Sequence, residues 1–187
     1  MKLSNRQLLL SSAAVLAGAL VIAGCQNKAS RPDEKSAVTN SLNSNSFGDL
    51  SVSEDRDRGV ITLTGNVSSD DQKSKAETLA KQAAPDYTIA NEVGVRPQGA
   101  EGQAKSVASN LDSAIEDNFK ASLKGHENLD DQSIHFSAKN GTLILKGTVK
   151  TAKQREEAEK LAKKVPNVQQ VVNEIEVKPS KHSTANS

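Results

Sequence analysis

The sequence predicts an α+β protein made of two tandem αββαβ units, each a small three-stranded mixed sheet with two helices on one face. Three observations carry this. The segment Gly59 to Pro97 recurs without a gap as Gly141 to Pro179, at an offset of about 82 residues and with about 14 of 39 positions identical. Within each copy the apolar period switches from two to about 3.6 and back to two. Setting aside an N-terminal leader leaves roughly 160 residues, enough for two units of about 70 to 75 residues with modest cores.

Residues 1–24 read as the leader. Lys2 and Arg6 precede an apolar run from Leu8 to Ala23 that ends Ile22-Ala23-Gly24-Cys25. A basic start, a short apolar stretch and small residues before the cut make an export signal, too short and too soon followed by polar sequence for a membrane span. The Ala-Gly-Cys ending resembles the lipobox of bacterial lipoproteins, which implies cleavage before Cys25 and acylation of its thiol and amine. Cys25 is the only cysteine, so no internal disulfide competes for it. Several acyl chains anchor firmly where one binds reversibly. By the same resemblance, Gln26 in place of an aspartate implies an outer-membrane anchor facing the periplasm. Residues 25–31 are then a short tether.

The first unit covers residues 32–97, with a short opening helix at about Asp33 to Leu42. Its repeated part starts at Gly59, and Ser69-Asp70-Asp71-Gln72 opens its second helix. Residues 98–103 (QGAEGQ) are Gly-rich and read as a linker that lets the second unit turn. The second unit covers residues 104–179. Val107, Leu111, Ile115, Phe119 and Leu123 recur every four residues, which predicts a helix from about Lys105 to Lys124, ended by Gly125. Ile134 and Phe136 then alternate with polar residues, and Asn140-Gly141 signals a hairpin. Leu143, Leu145 and Val149 alternate with Ile144, Lys146 and Thr148. Thr151-Ala152-Lys153-Gln154 is a capping box for a helix that presents Ala158, Leu161, Ala162 and Val165 on one side. Pro166-Asn167 ends it, and Val168 to Val177 supply the last strand. Gly65 and Gly147 fall in mid-strand, where a missing side chain lets a helix approach. Residues 180–187 form a polar tail, expected to fray.

Composition narrows the function. Aromatics make up 2% of the chain, too few to stack nucleic-acid bases or sugars, so no nucleic acid is expected as a partner. Residues 32–97 hold about 7 basic and 11 acidic side chains, residues 104–179 about 12 and 11, so only the second unit carries spare positive charge. Little else offers chemistry. His126, His135 and His182 stand at no ligand spacing, and the acidic stretches Glu54 to Arg58 and Asp130-Asp131 lack a calcium-loop register. No nucleophile elbow occurs, so neither an enzyme, a cofactor nor a small-molecule substrate is expected.

The candidate site is therefore electrostatic. Lys146 and Lys150 share a strand face and Lys153 and Arg155 open the next helix, so four cations are expected to gather at one end of the sheet. Their counterparts in the first unit are Thr64, Ser68, Asp71 and Lys73, so the charge is not needed for folding. Lys120 and Lys124, flanking a core Phe119, offer a second, helical contact face.

The pattern GxLxLxGxV, an Ala-x-x-Leu-Ala helix and a strand with V-x-N-x-[VI]-x-V resembles the BON domain. The resemblance spans both repeats. It implies a non-enzymatic module that attaches to anionic phospholipid membranes and supports envelope integrity or osmotic stress tolerance. The first repeat departs from it in its short opening helix and in Pro85-Asp86-Tyr87, where the second has Asn167-Val168-Gln169. The alternative is an adaptor docking a protein partner of the envelope or cell-wall machinery.

Overall fold

The computed structural model describes residues 31–178. The leader, Cys25 and the tail beyond residue 178 lie outside the described residues. The first unit runs α1 (Lys35–Ser44), β1 (Ser51–Asp55), β2 (Val60–Thr64), β3 (Asn66–Val67), α2 (Asp70–Ala83), β4 (Thr88–Asn91) and β5 (Gly94–Val95). The second runs α3 (Glu101–Lys124), α4 (Glu127–Asp130), β6 (Ser133–Lys139), β7 (Thr142–Val149), α5 (Ala152–Ala162) and β8 (Gln170–Val177). In the second unit β7 pairs antiparallel with β6 and parallel with β8, and the first unit repeats this as β1-β2-β4. The breaks between β2 and β3 and between β4 and β5 leave a separate pair, β3-β5. Both units are αββαβ, with helices on one face, and α4 is a single added turn that no periodicity in the sequence predicts.

Local signals act as expected at several points. Asn140 (φ 48°) and Gly141 (φ 82°) both take the left-handed conformation a tight two-residue hairpin needs. At the start of α5 the Gln154 amide donates to the Thr151 hydroxyl (3.2 Å) and the Thr151 amide to Gln154 Oε1 (3.0 Å). The first unit makes only half of this box. The Ser69 hydroxyl accepts from the Gln72 amide, but Gln72 Oε1 turns to the Ser68 amide instead.

Each unit has its own aliphatic core. Val38, Leu42, Ile61, Leu63, Ala76, Ala80 and Ile89 fill the first. Ile115, Phe119, Leu143, Leu145, Ala158 and Ala162 fill the second, where Phe119 meets Phe136 edge to face at 5.1 Å.

Three expectations are corrected. First, α3 begins at Glu101, so half of the expected linker is helix; the Glu101 carboxylate accepts from the Gly99 amide (2.9 Å) just before the first turn. The helix spans 24 residues, about 36 Å, and outreaches the sheet beneath it. Its apolar stripe is consequently buried only from Ile115 on, leaving Val107 58% and Leu111 41% exposed. Second, no helix crowds Gly147. At φ +113° its missing Cβ would run into the Ser133 carbonyl oxygen of neighbouring β6, so strand pairing requires the glycine. Gly65, at φ +122°, would instead meet the Leu50 side chain at 2.9 Å and the Asp49 carbonyl at 3.1 Å, just ahead of β1. Third, the units are not left free to turn. The sheet faces away from the helices pack on each other, burying Val60 and Ala90 against Ile144 and Val172.

Candidate functional site

The interface between the units is built from equivalent positions used twice. Ala90 and Val172 are one residue position at the 82-residue offset, as are Glu92 and Glu174, and Lys73 and Arg155. Polar groups seal the apolar centre. The Thr142 hydroxyl donates to the Asn91 carbonyl (2.6 Å), and the Gln170 amide bridges the Ile89 carbonyl and the Asn91 amide. At one end Lys73 Nζ donates to the Asn140 carbonyl (2.6 Å), Arg96 to Asn140 Oδ1, and Lys139 pairs with Glu92 at 3.3 Å. At the other end Arg58 lies 3.4 Å from Glu174, whose nearly buried carboxylate is also 3.8 Å from Lys146. Burial pushes the Glu174 pKa up against the pull of Lys146 and Arg58, and burial pushes the Lys73 pKa down.

A second device appears in both copies. Asn91 Nδ2 donates to the Lys73 carbonyl and to Glu77, and Asn173 Nδ2 donates to the Arg155 carbonyl and to Glu159. Each Asn Oδ1 accepts from the amide two residues on, Val93 or Ile175. Glu77 and Glu159 each also bind a lysine one turn later, Lys81 or Lys163. The repeated asparagine thus pins the last strand to the helix beside it, and bonds from Lys163 and Asn173 hold the Glu159 pKa down.

The four expected cations do not gather. Lys146 is engaged by Glu174, and Lys150 by Asp131 at 2.8 Å, which holds the Asp131 pKa down. Lys153 and Arg155 stand two residues apart on α5, about 200° around the helix, and point into different clefts. Lys153 shares its cleft with His126, Lys160 and Lys164. Arg155 shares its own with Arg31, Arg58 and Glu174. Lys120 and Lys124 are exposed on α3 beside the buried Phe119 and Leu123. The counterpart of Arg155, Lys73, is a structural interface residue, so that position serves folding in the first unit.

The remaining titratable groups that the sequence offers lie apart from one another. His126 Nδ1 lies 2.8 Å from the Ser122 carbonyl, and His135 is exposed on β6. The Asp55 carboxylate is taken by Arg58, whose bonds hold its pKa down. Among the described residues no group of three or more His, Cys, Asp or Glu could hold a metal, and no helix is long and apolar enough to cross a membrane. His182 lies outside the described residues.

Two small α+β units, duplicated in tandem and docked through their sheets, define a modular protein. The BON domain family model matches residues 34–97 and 111–179, and the chain belongs to that family, with two BON domains in tandem. It is 31% identical over 123 residues to an uncharacterized protein in the gshII 5' region of Anaplasma centrale, a match covering 66% of this chain and 79% of that one. It is 30% identical over 127 residues to the osmotically-inducible protein Y of Escherichia coli (strain K12), covering 68% of this chain and 62% of that protein. Among solved structures, CdsD, a structural protein of the type III secretion system of Chlamydia trachomatis, aligns over 80% of this chain and 94% of its own, at 14% identity and a TM-score of 0.34. The C-terminal domain of CdsD aligns at 16% identity and a TM-score of 0.30.

Proposed function

We propose that this protein is a periplasm-facing envelope module of the osmotic stress response, anchored through acylated Cys25 to the outer membrane and bound to anionic phospholipid by its second unit. Kinship with the osmotically-inducible protein Y supports the stress and envelope role. One observation carries the lipid reading. Among the described residues Lys120, Lys124, Lys153, Arg155, Lys160 and Lys164 of the second unit pair with no carboxylate, whereas Lys146 and Lys150 do. At the aligned offset Asp71, Thr78 and Gln82 replace Lys153, Lys160 and Lys164 in the first unit. Unpaired cations near a bilayer each contribute on the order of 1 kcal/mol toward anionic head groups.

The test uses the mature chain with Cys25→Ser. It is expected to pellet with vesicles containing phosphatidylglycerol, to ignore phosphatidylcholine vesicles, and to lose binding as salt rises. Equal binding to both vesicles, or binding indifferent to salt, overturns the lipid reading. The same variant of the full precursor should lose palmitate labelling in cells; retained labelling overturns the anchor. A second reading, docking of an envelope protein, is favoured by one feature. Val107 and Leu111 on α3, with Val95 and Pro97, wall an open groove of about 510 Å³.

A further inference from the structure

Four arginines surround the point where the chain enters the folded part. Arg56 Nε donates to the Arg31 carbonyl (2.7 Å), and the Tyr87 hydroxyl donates to the Pro32 carbonyl (2.6 Å). The Arg31 guanidinium lies over the Tyr87 ring, 5.9 Å from its centroid, so the root of the tether is clamped to the first unit from three directions. Tyr87 stands where the second unit has Gln169, which instead accepts from Lys73 across the interface. The departure of the first repeat at Pro85-Asp86-Tyr87 thus has a use: its tyrosine holds the entering chain.

Docking brings the second unit to the same place. Arg155, at the start of α5, shares a cleft of about 400 Å³ with Arg31 and Arg58. Arg58 is committed to Asp55 and Glu174. Of the other carboxylates there, Glu176 pairs with Lys178, and Asp57 makes no ion pair among the described residues. Arg31 and Arg155 are both exposed and have no carboxylate partner among the described residues. They lie 124 positions apart in the sequence and line one cleft only because the units dock.

We propose that Arg31 and Arg155 form a site for the phosphoryl group of a phospholipid head group on the leaflet that holds the anchor. Guanidinium is the apt chemistry, because its planar fork meets two phosphate oxygens at once and stays charged at any physiological pH. Location argues for the lipid. If Cys25 carries the anchor, as proposed above, the six residues Gln26 to Arg31 reach at most about 20 Å, and this cleft is the part of the folded protein held nearest the leaflet. The site rests on that membrane reading and adds to it which residues touch the phosphate.

The test compares Arg31→Gln, Arg155→Gln and the double variant in the mature Cys25→Ser chain, with Lys81→Gln/Lys139→Gln, two exposed lysines outside this cleft, as the control pair. Binding to phosphatidylglycerol vesicles is measured by co-sedimentation, and binding of inorganic phosphate alone by chemical-shift titration of the arginine side chains. Each single change should weaken vesicle binding roughly fivefold and the double change about 30-fold, with the control pair unchanged. A double variant that binds vesicles like its parent overturns this site and leaves the membrane reading intact. A parent that ignores anionic vesicles overturns both. Loss of the phosphate response without loss of vesicle binding assigns the arginines to free phosphate and overturns the head-group assignment.

Discussion

Replacing Gly147 with alanine adds one methyl group, and the backbone around it sets the cost. Gly147 sits at φ +113°, in register with Ile134 and beside the Ser133–Thr148 pair. An alanine Cβ would meet the Ser133 carbonyl oxygen, a main-chain atom that cannot rotate away without breaking the β6–β7 ladder. The unfavourable conformation costs about 1–3 kcal/mol and the forced displacement about 1–3 more, offset by about 0.4–1 from the stiffer unfolded chain. A net loss of about 2–5 kcal/mol is expected, a large share of a stability of roughly 5–15. For a protein of this size it lowers the Tm by about 4–20 °C. Gly65→Ala is the internal comparison: its nearest neighbours are the Leu50 Cδ2 methyl at 2.9 Å, which can rotate, and the Asp49 carbonyl at 3.1 Å, so its loss should be the smaller, about 1–3 kcal/mol. Urea and thermal unfolding of the mature Cys25→Ser chain, with Thr148→Ala as a neighbouring control, measure both. A Gly147→Ala protein within about 0.5 kcal/mol of its parent, or a costlier Gly65→Ala, would refute the cross-strand argument.

Two further outcomes are expected. Asn91→Ala should cost about 2–4 kcal/mol and Asn173→Ala about 1–2, because Asn91 is 2% exposed and its loss strands the buried Val93 amide, whereas water can reach Asn173; equal losses by urea titration would show that burial does not set the difference. Glu174 is raised by burial, so the folded protein holds its proton more tightly than the unfolded chain, and the penalty of its charge is relieved as pH falls through that raised pKa. Glu174→Gln should therefore leave stability at pH 7 unchanged or higher and remove this gain on acidification, just above the ordinary carboxylate range. A variant less stable than its parent at pH 7 would show that Arg58 and Lys146 outweigh the desolvation.

Whatever depends on neighbours a few residues apart was legible in the chain. The duplication, the capping box at Thr151, the Asn140-Gly141 hairpin and the apolar face of α5 follow from periodicities and hydrogen bonds that close within one or two turns, so the sequence by itself determined the αββαβ order of each unit. The docking had a signal that alternation alone hid. Leu143-Ile144-Leu145 and Val171-Val172 are apolar on both sides of their strands, which is how a sheet covered on both faces reads. Which surface covers the second face is a different matter, since Val60 and Ile144 are 84 residues apart and meet only when both sheets exist. The candidate site depended on the same step. Lys146 looks free beside Thr148 in the sequence, yet parallel pairing sets it opposite Glu174, and docking adds Arg58 from the other unit. Charge is additive along a chain, but the field at a surface depends on which carboxylates lie within a few ångströms, and only the tertiary structure decided that Lys146 and Lys150 are neutralised while Arg31 and Arg155 share a cleft.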